Sequence, residues 1–389
     1  MHTAEIYASY CGAKIGSPHI TECFYPLDIT DYITIDIGKT SDYRQYNHWQ
    51  DVIYFLKPVF DSQGIHMMQI GAPEDPRLDG TMRVNGSASL PQIAYLVRNS
   101  LLHLSGDVFS ALVASHYDKK MVTVLPGKDY QDFKPIWGSD KNKTILNLNS
   151  KGMSINNIDI SVKPEEISKE ICKHLGLKLE TPANSIFFGK KYFDGIEFLE
   201  CVPNQIVEPS KFGVDNLMYR MDLEFNERNL AKQLSLGKAS IVTNRPINID
   251  ILKNFKDNIL QLVYMIEKKD DPQFGWDVKN AGVENLLLYS HLSDEELNPK
   301  KINYMDLGLI VSEKKEDQRN SRVFKDKDPK KLFYRSNRYL LSKDHTYASD
   351  SAFLFNKPIG SKTSFSPVIN SKKFWSNLDN FYIVEVNSA

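Results

Sequence analysis

Cysteine is scarce in this sequence. Cys11, Cys23, Cys172 and Cys201 stand far apart and form no CxxC pair, which argues against a disulfide framework and a zinc site and for reduced thiols in a cytoplasm. Net charge is also absent, with 48 basic against 49 acidic residues. A balance of −1 gives no general pull toward nucleic acid or an anionic membrane. No stretch approaches ~18 uninterrupted apolar residues, and the opening MHTAEIYASYCGAKIG lacks a basic segment followed by an apolar one. Neither a transmembrane helix nor a signal peptide is expected, so the chain reads as soluble and cytoplasmic. His2, His19, His48 and His66 have no metal-ligand spacing, and no metal is expected.

What the sequence does have is length and alternation. Its 389 residues, 41% of them hydrophobic, exceed one ordinary core, and about 150 residues per domain suggests two domains. Residues 5–9 and 32–37 are β-branched and aromatic runs that read as strands. Residues 48–60 (HWQDVIYFLKPVF) place Trp49, Val52, Ile53 and Leu56 on a helical stripe, which Pro58 is expected to kink or end. A strand over 65–70 stops at Gly71. Ser89 and Pro91 open a helix over 89–100 in the cap and first-turn positions that suit them. A strand at 101–104, a helix at 108–116 and a strand at 120–125 follow, and a helix at 164–175 closes at Gly176. This βαβαβαβ order predicts a parallel sheet covered on both faces. Residues 141–157 read as a loop.

The second half repeats the alternation. Strands are expected over 216–225, 239–243, 260–267, 285–289 and 307–311, with helices over 226–236, 249–258 and 294–300. They predict a second α/β domain that shares an architecture with the first and no alignable motif. Residues 313–331 are a charge-dense run, read as a solvated loop with a basic docking surface as the other reading. The aromatic-rich stretch 332–389 is expected to pack on the domains or bridge them, since its aromatics would otherwise be exposed. The expected division is 1–178, 179–331 and 332–389.

Four stretches carry a resemblance. Residues 41–55 (SDYRQYNHWQDVIYF) form a basic, aromatic lead into a helix, and residues 69–75 (QIGAPED) a strand-end glycine turn. Residues 86–96 (GSASLPQIAYL) place a glycine before a Ser-Leu helix start, and residues 101–127 (LLHLSGDVFSALVASHYDKKMVTVLPG) run strand, aspartate, helix, strand, glycine. In that order they resemble the nucleotide-sugar-binding half of family 9 glycosyltransferases, the ADP-heptose:lipopolysaccharide heptosyltransferases and their relatives, over residues 40–138. Asp107, Ala114 and Gly127 fall on the family's Asp, Ala and Gly. Phe109 and Ser110 stand where the family has Gly and Pro, and Leu112 where it has His. The family places this half second, whereas here it comes first. The resemblance implies an α/β chain of two Rossmann-like domains with parallel sheets (GT-B-like), the donor-type domain leading.

It also implies a glycosyltransferase that moves a sugar from an ADP-heptose-like donor to a glycan or lipid-linked glycan acceptor, as in lipopolysaccharide biosynthesis. Transfer would be a direct displacement without metal ion or cofactor. A diphosphate is held by backbone N–H groups at a helix N-terminus. Asp107, Val108, Phe109 and Ser110 offer such a turn at the carboxyl end of a predicted strand, where open parallel sheets bind ligands. Ser105 and Ser110 could add hydroxyl donors, and Asp107 could equally cap its helix. Arg44 is the candidate phosphate clamp, with Lys39, Thr40 and Ser41 beside it; a plain surface arginine is the other reading. Gly71 would admit a ribose or base, and Glu74 or Asp75 would accept ribose hydroxyls, although a simple β-turn explains the same residues.

His103 reads as a core histidine, and His116 has no assigned role. The base that takes the acceptor's proton stays open among Asp222, Glu267, Asp270, Asp271 and His291, while Asn244 and Arg245 would suit an anionic acceptor. Two rival readings remain. One is a nucleotide-sugar-binding or interaction protein without turnover, which Phe109, Ser110 and Leu112 favour. The other is a virus-encoded transferase acting on DNA, against which the balanced charge argues.

Overall fold

The alternation Ile33, Thr34, Ile35, Asp36 sets the centre of the molecule's first half. In the computed structural model, which describes residues 2–38, 46–125, 133–148, 162–188, 192, 196, 198–312, 316–360 and 365–387, the strand β1 (Tyr32–Asp36) is buried throughout. Ile33 and Ile35 face one helical layer, and Tyr32 faces the other. The chain divides into two units, Met1–Phe188 with Val384–Ala389, and Gly189–Ile383.

The first unit runs α1 (Thr3–Tyr10), β1, α2 (Trp49–Gln63), β2 (His66–Ile70), β3 (Met82–Arg83), α3 (Leu90–Asn99), β4 (Leu102–Ser105), α4 (Val108–His116), β5 (Met121–Leu125), β6 (Lys143–Asn147), α5 (Pro164–Leu175) and β7 (Ala183–Phe188). Six strands form one sheet in the order β3-β2-β1-β4-β5-β6, every pairing parallel. The chain winds outward from β1 to β3, then returns past β1 to β4. Right-handed crossovers in that order put helices on both faces. Val52, Ile53 and Leu56 of α2 pack with Ile167 and Ile171 of α5 against one side. Ile93 and Leu96 of α3 and Ala111 and Ala114 of α4 cover the other.

Three local expectations change. Residues 5–9 are helical, because His2 and Glu5 form a capping box that nucleates α1. Helix α2 runs through Pro58 to Gln63 and ends at Gly64. Pro58 and Tyr54, whose carbonyl a proline at 58 cannot serve, both face solvent, so water can take the lost hydrogen bond. Within the stretch expected to be a loop, residues 143–147 form the edge strand β6, held by parallel pairing to β5.

The second unit contains β8 (Phe198–Cys201), β9 (Leu217–Arg220), α6 (Glu227–Leu236), β10 (Ala239–Thr243), α7 (Ile249–Asn254), β11 (Ile259–Met265), α8 (Gln273–Asn280), β12 (Leu286–Ser290), α9 (Asp294–Asn303), β13 (Ile310–Ser312), β14 (Leu332–Ser336), β15 (Arg338–Ser342), β16 (His345–Tyr347), α10 (Asp350–Leu354), β17 (Ser366–Pro367), α11 (Lys372–Trp375) and β18 (Phe381–Val386), whose last residues belong to the first unit. Its large sheet is ordered β13-β12-β11-β10-β9-β8-β15-β16, parallel except for the β15–β16 hairpin. Strands added one after another in a single direction leave their helices on one face. Tyr219, Ile241, Leu262 and Leu288 accordingly meet Leu230, Leu252, Phe274 and Tyr304 there.

The opposite face carries a buried ion network. Arg220 donates to Glu200 (2.6 Å), Asp222 (2.7 Å) and Asp350 (2.9 Å), and Arg338 also bonds Glu200. The fold class is α/β on parallel sheets: the first unit is Rossmann-like, with its winding reversed between β1 and β4, and the second winds from β8 to β13 in one direction. Among the described residues no helix is long and apolar enough to cross a membrane.

Candidate functional site

In an open parallel sheet, ligands bind beyond the carboxyl ends of the strands where the winding reverses. In the first unit that point lies between β1 and β4. The two turns leaving these strands interlock. Gly38 (φ +62°) lies so close to Asp107 that a Cβ on it would stand 3.0 Å from the Asp107 Cβ. A Cβ on Gly106 would meet Trp49 at 2.7 Å and the Ile37 carbonyl at 2.8 Å. Only glycine permits this approach at either position.

Asp107 begins α4 as its N-cap, its Oδ1 accepting the Ser110 N–H at 3.0 Å. Behind it, Asp36 ends β1 with its carboxyl accepting the Gly38 N–H at 3.1 Å. Burial, and then the neighbouring Asp107 carboxylate, push the Asp36 acid up to about 7.

The turn after β2 supplies the third aspartate. Asp75 Oδ2 accepts the Ala72 N–H (2.8 Å) and the Asn85 amide (3.2 Å). Arg83 braces the same turn through the carbonyls of Pro73 and Asp75. Gly71 adopts φ +128°, and a Cβ there would fall 2.4 Å from Asp75 Oδ2 and 3.0 Å from Asp36 Oδ1. The missing side chain is what lets these two carboxyls share one space. Burial raises the Asp75 acid as well. Asp75 Oδ1 and Asn85 Oδ1 have no hydrogen-bond partner among the described residues.

Gly71, Asp75, Ser105, Asp107 and Ser110 therefore lie together at one sheet edge. The two serines are fully buried, and their hydroxyls serve the protein itself: Ser105 donates to the Asp107 carbonyl (2.5 Å), and Ser110 contacts His103 Nε2 (3.1 Å). Val108 is half-buried, and Phe109 is 51% exposed. Phe109 borders an apolar groove of about 410 Å³ with Pro91, Leu112, His19 and Trp137. Glu74 is exposed. Lys39, Thr40, Ser41 and Arg44 lie outside the described residues. His103 is a buried histidine hydrogen-bonded at both ring nitrogens. His116, at the far end of α4, bonds Ser17.

Asp36, Gly38, Gly106 and Asn85 were not singled out from the sequence. An acid closing an Ile/Thr strand just before a glycine was the available signal for Asp36.

In the second unit the acids considered for the base have local partners. Asp222 pairs with Arg220 (2.7 Å), and Glu267 accepts from Asn244 (3.2 Å). Asp270 and Asp271 accept backbone N–H groups of Glu267 and Gln273. His291 stacks edge-on with Tyr289, and the Arg245 guanidinium sits 5.9 Å from the centre of the Phe225 ring. Among the described residues no group of three His, Cys, Asp or Glu is placed to hold a metal ion.

No family model matches the sequence, and no curated protein does. Parts of the chain are similar to three solved structures, each at 14% identity. Escherichia coli ADP-heptose LPS heptosyltransferase II aligns over 38% of this chain and 47% of its own, with a TM-score of 0.30. The family 9 glycosyl transferase of Veillonella parvula aligns over 44% and 50%, at 0.31. E. coli heptosyltransferase WaaC, solved with ADP, aligns over 37% and 44%, at 0.27. The chain thus spans about half the length of each of these glycosyltransferases or less.

Proposed function

We propose that the first unit binds the nucleoside diphosphate of a sugar nucleotide at the β1–β4 edge, and that the chain is a glycosyltransferase. The observation that carries this reading is the reversal of winding between β1 and β4, where two interlocked glycine turns meet a capped helix N-terminus. Such an edge favours a diphosphate through helix-end N–H groups and dipole. Asp75 Oδ1, buried and without a hydrogen-bond partner among the described residues, suits a ribose hydroxyl, the role an acid after the second strand plays in dinucleotide-binding folds. The sequence resemblance over residues 40–138 supports a heptose or similar sugar on ADP, with a glycan or lipid-linked glycan as acceptor.

In the transfer, an acceptor hydroxyl oxygen bonds to the anomeric carbon as the bond from that carbon to the diphosphate oxygen breaks. The acceptor's proton passes to a base that remains unassigned. A second reading, binding without turnover, is favoured by Leu112, which stands where the resembling family has histidine.

A thermal-shift screen against ADP-, UDP- and GDP-sugars tests the proposal. A ligand at 100 times its Kd stabilises the folded chain by about 2.7 kcal/mol, and Asp75→Ala should shrink that shift. No shift with any sugar nucleotide contradicts the proposal, and binding without transfer to any glycan supports the second reading.

A further inference from the structure

At the other end of the first sheet, where its strands begin, lies a second recess. A cavity of about 860 Å³ is lined by residues that immediately precede β2, β4 and β5. Ile65, Leu101 and Leu175 give it apolar surface, and Tyr117 adds an aromatic ring. Arg98, Lys119 and Lys120 bring three cations to the same space. Apolar lining with a few convergent charged groups, in a cavity of this size, suits a small organic ligand.

Arg98 is already engaged. It pairs with Glu22 (2.9 Å), which also accepts the Tyr117 hydroxyl (2.8 Å). Among the described residues no ion pair or side-chain hydrogen bond holds Lys119 or Lys120. Lys119 is half-buried; burial, and then Lys120, hold its ammonium below the usual lysine range, and no carboxylate bears on it. The acids of the neighbouring segments serve other groups. Asp118 turns its carboxyl to the Ser139 N–H, Asp140 pairs with Lys143 (3.1 Å), and Glu170 with Lys173 (3.1 Å).

Lysines at this place often answer helix C-termini, and α3, α4 and α5 all end here. Their last turns, however, are closed by main-chain donors. The Ser100 N–H bonds the Leu96 carbonyl (3.1 Å), the Lys119 N–H that of Ala114 (3.0 Å), and the Leu177 N–H that of Cys172 (2.8 Å). Neither lysine side chain bonds a helix end, so two neighbouring ammonium groups face an apolar-lined cavity without a counter-charge.

We propose that this cavity binds a soluble phosphomonoester on a small apolar or aromatic body, with Lys119 and Lys120 answering the phosphate and Leu101, Ile65 and Leu175 receiving the body. A phosphomonoester carries a charge of about −1.5 to −2 at pH 7, which two ammonium groups match. Lysine meets phosphate as a point charge, without the fixed geometry an arginine fork requires. The cavity lies at the amino ends of the strands, away from the β1–β4 carboxyl edge, and the proposal does not rest on the sugar-nucleotide reading.

Calorimetry of the full chain at pH 7, in ~0.15 M salt to screen exposed charges, tests this with phenyl phosphate, inorganic phosphate and phenol. Phenyl phosphate should saturate a single site, roughly tenfold tighter than inorganic phosphate because its ring buries apolar surface. Phenol should show no saturation. Lys119→Met should weaken phenyl phosphate by roughly tenfold or more. Its melting temperature should equal or exceed that of wild type, since the variant removes a half-buried charge that has no partner. Any thermal shift that sugar nucleotides produce should be the same in this variant as in wild type.

Absence of saturation by phenyl phosphate overturns the proposal. Equal affinity for inorganic and phenyl phosphate does so too, as does binding that Lys119→Met leaves unchanged. Vesicles containing phosphatidic acid present the same phosphomonoester on a lipid surface. Co-sedimentation with them in place of phenyl phosphate binding would overturn the assignment to a soluble ligand.

Discussion

The Ser110 hydroxyl lies 3.1 Å from Nε2 of His103, with both side chains sealed under α4. This pair has consequences for stability that do not depend on any ligand. His103 titrates near 3 in the folded chain against 6.5 when exposed. Its contribution is therefore full above pH 6.5 and is lost as pH falls toward 3. Asp36 has the opposite sign. Its folded value of about 7 exceeds the exposed 3.8, so its contribution is full below pH 3.8 and is lost as pH rises through 7. Between pH 4 and 6.5 the two slopes oppose each other. Asp36→Asn should expose the histidine slope, with stability rising by up to roughly 1.4 kcal/mol per pH unit, and His103→Gln should expose the reverse. Melting curves at pH 4, 5 and 6.5 check both directions; parallel profiles for the two variants would contradict the assignment.

Gly71→Ala should be costly. The substitution sets a Cβ 2.4 Å from Asp75 Oδ2 at a φ of +128°, and strain of this kind costs about 2 kcal/mol or more. Equilibrium denaturation should show the loss, and sugar-nucleotide binding should weaken with it. An alanine variant as stable as wild type would mean that the turn is not built as described.

Asp107→Ala removes the cap of α4 and should cost about 1 kcal/mol, whereas Asp107→Asn keeps the cap. The asparagine also removes the carboxylate that, after burial, raises Asp36, so the pH midpoint of the Asp36 carboxyl band in infrared difference spectra should move down in that variant. An unchanged midpoint would show that Asp107 does not act on Asp36.

In the second unit, Glu200→Ala leaves Arg220 and Arg338 without their shared partner in a buried setting. Breaking a buried pair from one side costs up to about 3–5 kcal/mol, and Asp222 and Asp350, which still hold Arg220, reduce that here. Calorimetric melting should show the transition of this unit falling by several degrees, and a shift within error would refute the importance of the network.

Much of this architecture is legible in the residues, and the exceptions have physical causes. The helix stripe of Trp49, Val52, Ile53 and Leu56 and the capped start at Ser89 are local signals, and both helices form where those signals place them. Residues 143–147 (KTILN) carry no strand pattern of their own, because an edge strand can draw its order from the neighbour it pairs with. Residues 5–9 look β-like by composition, but the cap at His2 lies outside the run and decides for helix.

Within the candidate site, Gly71, Asp75 and Asp107 are visible because turns and caps have short-range signatures. The properties of Asp36 are not visible in the same way, since its raised proton affinity comes first from burial and then from Asp107, both of which only folding supplies. His103 looks like an ordinary core residue until the partners of both ring nitrogens are known.

Hydrogen–deuterium exchange of the full chain with and without a bound sugar nucleotide tests the central claim most directly. The account predicts slowed exchange in peptides covering residues 36–38, 71–75 and 105–110, all at the β1–β4 edge. Binding that protects other segments and leaves these three unchanged would contradict it.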